Sequence, residues 1–177
     1  MKNQAGKVIS RVFIILMIVG GFSVLNAGCS TLFGPREKSA HAILLPVVGG
    51  TARGTVNFVE RADGMQVTYN IVGLPANSDY RFQIYERGHC NAFSARNTGQ
   101  VFDPSRLSWS GAQGNARPAG NMPNIKADTN GVATGFVVVN ELTLDGIRSV
   151  IGRSVVVLHD DDTVVEKSRL ACGVIRR

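Results

Sequence analysis

The chain has 177 residues, with 19 Lys and Arg against 13 Asp and Glu, a net charge of +6. A composition of 44% apolar and 18% charged residues excludes a long disordered chain and suits one domain with a real hydrophobic core. Only three histidines (His41, His89, His159) limit the metal chemistry available, and three cysteines leave at least one without an internal disulfide partner.

Residues 1–28 read as a targeting segment. Lys2, Lys7 and Arg11 precede an apolar run from Val12 to Leu25, and the small pair Ala27-Gly28 stands before Cys29. A basic start, an apolar stretch and a small-residue end describe a secretory signal peptide. The run is shorter than the roughly 20 apolar residues that span a bilayer, and Gly20-Gly21 interrupts it. Leu25-Asn26-Ala27-Gly28-Cys29 resembles a bacterial lipobox, with Asn26 where Leu or Val is usual. The resemblance implies lipidation of Cys29, and Ser30 is similar to an outer-membrane sorting signal. Membrane attachment through Cys29 is therefore expected, in a bacterial cell envelope and facing the periplasm, the alternative being a cleaved, soluble periplasmic chain. Loss of residues 1–28 lowers the net charge from +6 to +3. No basic cluster interleaved with aromatics follows, so a nucleic-acid partner is not expected.

Residues 29–39 read as a tether and 40–177 as the domain. Ala42 to Val48 is an apolar run, and Gly54 to Glu60 sets Val56 and Phe58 two apart. Asp63-Gly64 predicts a hairpin turn leading into Met65 to Val72. Tyr80 to Glu86 alternates, with Phe82 and Ile84 on one face and Arg81, Gln83 and Tyr85 on the other. From Arg87 to Pro123 the periodicity disappears, and so long an irregular stretch is usually functional or specially tied down. Short strands return at Asn124 to Ala127 and Val132 to Val139. One helical turn is expected within Asn140 to Ile151, followed by strands at Arg153 to Leu158 and Leu170 to Ile175. Eight short strands with turn signals predict an all-β fold, an eight-stranded antiparallel Greek-key barrel or sandwich.

The ending Ser168-Arg-Leu-Ala-Cys-Gly-Val-Ile175 closely resembles the last strand of copper/zinc superoxide dismutases. Further segments resemble other parts of that family in order along the chain: Glu86-x-Gly88-x-Cys90, Phe102-Asp-Pro104, Pro123-Asn-Ile-x-Ala-Asp128 and Gly152-Arg-Ser-Val-Val-Val157. The active enzymes hold copper with four histidines and zinc with three histidines and an aspartate, one histidine being shared. Carried over residue by residue, the resemblance puts the copper positions at Gln83, Tyr85, Val101 and Leu158. It puts zinc positions at Val101, Trp109, Pro118 and Asn121. Val, Pro and Leu offer a metal no donor, and Gln, Trp and Asn replace imidazole or carboxylate poorly. The resemblance thus implies a pseudoenzyme, with no catalytic residue, metal or cofactor expected. It also implies a disulfide between Cys90 and Cys172, in keeping with an exported chain. Arg169 matches the family's anion-guiding arginine, or is a structural residue beside that disulfide.

Two uses stay open for the substituted positions. Tyr85 and Trp109, with Val101 and Leu158, can form an aromatic and apolar surface for an unknown envelope protein, or they can fill the vacated cavity. The alternative function is metal binding or catalysis through new ligands, namely His89, His159, Asp160 and Asp162. The run His159-Asp160-Asp161-Asp162 reads more readily as a solvated turn than as a metal site. His41, at the start of the first strand, is expected to face solvent.

Overall fold

A computed structural model describes residues 37–90, 96–107, 117–160 and 169–177. Alternation of apolar and polar side chains builds the strands, because successive side chains point to opposite faces. In β1 (Ser39–Pro46) Ala40, Ala42 and Leu44 point inward while His41, Ile43 and Leu45 point out. β2 (Arg53–Arg61) buries Val56 and Phe58, and β3 (Gly64–Val72) buries Met65, Val67 and Ile71. The β2–β3 hairpin turns at Ala62-Asp63, one residue before the expected Asp63-Gly64. Gly64 already pairs with Arg61 and takes φ +134°, where a side chain would meet the Asn140 amide oxygen.

β4 (Asp79–Tyr85), β5 (Ile125–Lys126), β6 (Ala133–Val139), β7 (Ser154–His159) and β8 (Arg169–Val174) complete the eight predicted strands. They form one nearly closed antiparallel barrel in the order β5-β4-β7-β8-β1-β2-β3-β6. β1 joins the two halves, since its first part pairs with β2 while Leu45 and Pro46 pair with β8. No α-helix occurs among the described residues. The helical turn expected in 140–151 is a short 3-10 turn, Gly146–Arg148, entered through Asp145. Two more 3-10 turns, Arg96–Thr98 and Pro104–Leu107, lie within the aperiodic stretch.

The main core lies between the two halves of the barrel. Phe58, Met65, Ile71, Tyr80, Phe82, Ile84 and Phe102 are fully enclosed there, and each such side chain contributes about 1.5–3 kcal/mol by leaving water. The Tyr80 hydroxyl donates to the Pro75 carbonyl at 2.5 Å, which satisfies the buried phenol and fixes the β3–β4 connection. The Asp128 carboxylate accepts the amides of Asn130 and Val132 at 2.8 and 2.9 Å. Those bonds to the charged form hold its pKa below the usual carboxylate value and shape the β5–β6 turn.

Candidate functional site

β4 is the element around which the substituted positions gather. Tyr80, Phe82 and Ile84 face the main core, so period-2 geometry sends Gln83 and Tyr85 to the opposite side. In β7, Val155 and Val157 belong to the main core, while Val156 and Leu158 emerge beside Gln83 and Tyr85. Beside that second side, irregular backbone covers the β4 edge.

The cover is tied to β4 by main-chain bonds. The Ile84 amide donates to the Gly120 carbonyl at 2.8 Å, the Phe102 amide to the Ile84 carbonyl at 2.8 Å, and the Gly120 amide to the Phe102 carbonyl at 2.7 Å. Isolated bridges set Asn121 opposite Gln83 and Val101 opposite Tyr85. Gly120 has room for no side chain, because a Cβ there would collide with the Ile84 carbonyl. Arg153 adds a further tie. Its guanidinium lies 3.4 Å from the centre of the Phe102 ring and donates to the carbonyls of Glu86 and Ser149 at 2.9 and 2.7 Å. Burial pushes its pKa down from the usual guanidinium value.

Beneath this cover the side chains bind one another. The Tyr85 hydroxyl donates to Gln83 Oε1 at 3.0 Å, and Gln83 Nε2 donates to Asn121 Oδ1 at 2.9 Å. Leu158, Val156, Val47 and Cys172 pack around Tyr85 as a second buried apolar cluster, with Val101 and Cys90 at its edge. Cys90 and Cys172 form the disulfide, 82 residues apart in sequence, which pins the irregular stretch to β8. Arg169 stands 4.8 Å over the Tyr85 ring, and its Nη1 donates to Thr98 Oγ1 at 2.9 Å. No buried side-chain nitrogen or oxygen among the described residues lacks a partner.

Three of the substituted positions pack against one another. Tyr85 is 6% exposed and Leu158 1%, with Val101 half-buried against them, so these side chains form an interior cluster. The Tyr85 ring is packed within this cluster and only its edge reaches solvent. Pro118 is half-buried, and its carbonyl accepts the Asn121 amide at 2.9 Å. Pro118 and Asn121 also line a shallow cavity with Arg117, Val138 and Glu141.

Of the alternative ligands, His89, His159 and Asp160 are described, and they form no cluster able to hold a metal ion. His89 and Asp160 are exposed, and half-buried His159 stacks its ring 5.6 Å from Tyr80. The described residues contain no group of three or more His, Cys, Asp or Glu close enough to hold a metal ion. His41 is exposed, with its backbone bridged to Arg176. Cys29, Trp109, Asp161 and Asp162 lie outside the described residues. Sequence reasoning missed Val47 and Thr98, which belong to the cluster and to the Arg169 tie. Neither stands in a motif, and only the fold of the cover brings them in.

The barrel, its disulfide and its covered β4 define an all-β protein of superoxide dismutase-like architecture. The family profile for copper/zinc superoxide dismutase (SODC) matches residues 52–175. The chain is 31% identical over 136 residues to a superoxide dismutase [Cu-Zn] of Yarrowia lipolytica, covering 69% of this chain and 88% of the relative. It is 30% identical over 161 residues to one from Paramecium bursaria Chlorella virus 1, covering 89% and 79%. It is 26% identical over 171 residues to superoxide dismutase [Cu-Zn] 2 of Aquifex aeolicus, covering 90% and 96%. The chain belongs to the copper/zinc superoxide dismutase family.

Proposed function

We propose that this chain is a non-catalytic member of its family, held at a bacterial cell envelope by a lipid on Cys29 and acting there as a partner-binding or structural module. One observation carries the reading: at the former metal positions that are described, Tyr85, Gln83 and Asn121 are hydrogen-bonded to one another, and Tyr85, Leu158 and Val101 pack together. The copper and zinc that the family implies do not fit these residues. Val101, Leu158 and Pro118 have no side-chain donor atom, and Gln83, Tyr85 and Asn121 offer amides and a phenol in place of imidazole or carboxylate. Gln83 Oε1 already accepts the Tyr85 proton, and Asn121 Oδ1 accepts from Gln83. Dismutation requires a centre that alternately takes and gives an electron, and these side chains supply none.

The lipid anchor is supported by the basic start, the apolar run and the lipobox-like Leu25 to Cys29. A module role is supported by what is kept, since barrel, disulfide and fully satisfied interior form a stable scaffold. Crosslinking and affinity capture from envelope extracts test the partner. The expected result is a saturable complex that survives in the Tyr85→Phe variant, because Tyr85 is interior. Absence of any saturable partner, with no envelope phenotype on deletion, contradicts the binding reading.

A further inference from the structure

Three of the most exposed apolar side chains on the described surface lie on or next to one strand. Ile43 and Leu45 point out from β1 at 60% and 64% exposure, and Val48 follows the strand at 63%. Contiguous apolar exposure of this kind marks a contact surface. Its surroundings are basic. His41 lies one outward position before Ile43 and is bridged to exposed Arg176, while exposed Arg53 opens β2 immediately before Gly54, the partner of Leu44. The β2 residues beside this row, Thr55 and Asn57, are neutral. The carboxylate of Asp145 near the end of the strand is held by Lys38 and Arg177.

We infer that the outward face of β1 docks on an anionic phospholipid surface, with Ile43, Leu45 and Val48 entering the headgroup boundary and Arg53, Arg176 and His41 facing the phosphates. Apolar side chains and cations on one surface are what an anionic bilayer interface rewards. Position in the chain agrees. β1 is the first described strand after Cys29, and the ten residue steps from Cys29 to Ser39 reach at most about 35 Å. Among the described residues a second copy fits this face less well, because apposing the patches brings Arg53 and Arg176 of both copies together while the nearby Asp145 carboxylate is already held by Lys38 and Arg177. The location of this contact rests on the proposed lipid at Cys29, but its chemistry does not.

The test is vesicle co-sedimentation of the mature chain from residue 29 carrying Cys29→Ser, so that no acyl chain contributes. This chain contains the whole compact unit Glu37–Arg177. Binding is expected to vesicles containing phosphatidylglycerol, to weaken as salt is raised, and to fall away on pure phosphatidylcholine. Ile43→Ser with Leu45→Ser should weaken it about tenfold or more, and Arg53→Gln or Arg176→Gln about fivefold each. Circular dichroism and an intact disulfide establish that each variant is folded. Equal binding to both vesicle types, or variants that bind like the parent, would overturn the inference. So would a concentration-dependent dimer that the Ile43→Ser, Leu45→Ser pair abolishes. An acyl-free Cys29 in the native protein, read by mass spectrometry, counts against the anchor alone, since the vesicle assay contains no lipidated cysteine.

Discussion

Replacing Cys90 and Cys172 together with alanine is expected to lower the unfolding free energy by about 4.5 kcal/mol, read by denaturant titration with the parent as reference. The loop closed by the bond spans 82 residues, and chain-entropy reasoning for a loop of that length gives roughly this loss at 25 °C. For a domain of this size the midpoint of thermal unfolding should fall by about 15 °C. The effect is large because the bond fastens a long aperiodic stretch that has little regular ladder of its own. Cys172 is buried in β8 against Tyr85 and Leu158, so the same bond also seals the second cluster. A loss under about 1 kcal/mol would show that the cover of β4 holds without it.

Gln83→Ala is expected to cost about 3 kcal/mol, the second largest effect. Gln83 is 7% exposed and joins Tyr85 to Asn121. Truncation strands a buried phenol hydroxyl, at about 1–3 kcal/mol, and opens a space that the rigid strand cannot close. Tyr85→Phe leaves the ring in place and removes only the donor, so it should cost about 1–2 kcal/mol. A double-mutant cycle on the pair isolates their coupling, which should exceed 0.5 kcal/mol or so. Additive effects would mean that the hydrogen-bond chain contributes nothing beyond packing.

The strands were legible because one face of each alternates cleanly. Ala40, Ala42 and Leu44, or Val56 and Phe58, mark an inward face in any reading by period 2. The second buried face was not legible in the same way. Gln83 and Tyr85 share their parity with Arg81, so periodicity alone assigns them to the solvent side. They are buried because segments around Val101 and Asn121 pair edge-on with β4, and such pairing leaves no repeat in the sequence. The place of the Tyr85 ring therefore needed the fold. Cysteine spacing likewise leaves the pairing open, and only the family resemblance singled out Cys90 with Cys172. The exposed row on β1 was half legible: alternation puts His41, Ile43 and Leu45 on one side, but Arg53 and Arg176 join them only through strand register.

The central proposal is that the cluster around Tyr85 has given up the chemistry of its family. The direct measurement is metal content and superoxide consumption of the purified mature chain after incubation with copper and zinc and removal of the excess. The prediction is no stoichiometric copper or zinc, no change in thermal midpoint on metal addition, and superoxide decay no faster than in buffer. Stoichiometric metal with catalysed superoxide consumption, lost on chelation and recovered on reloading, would contradict it.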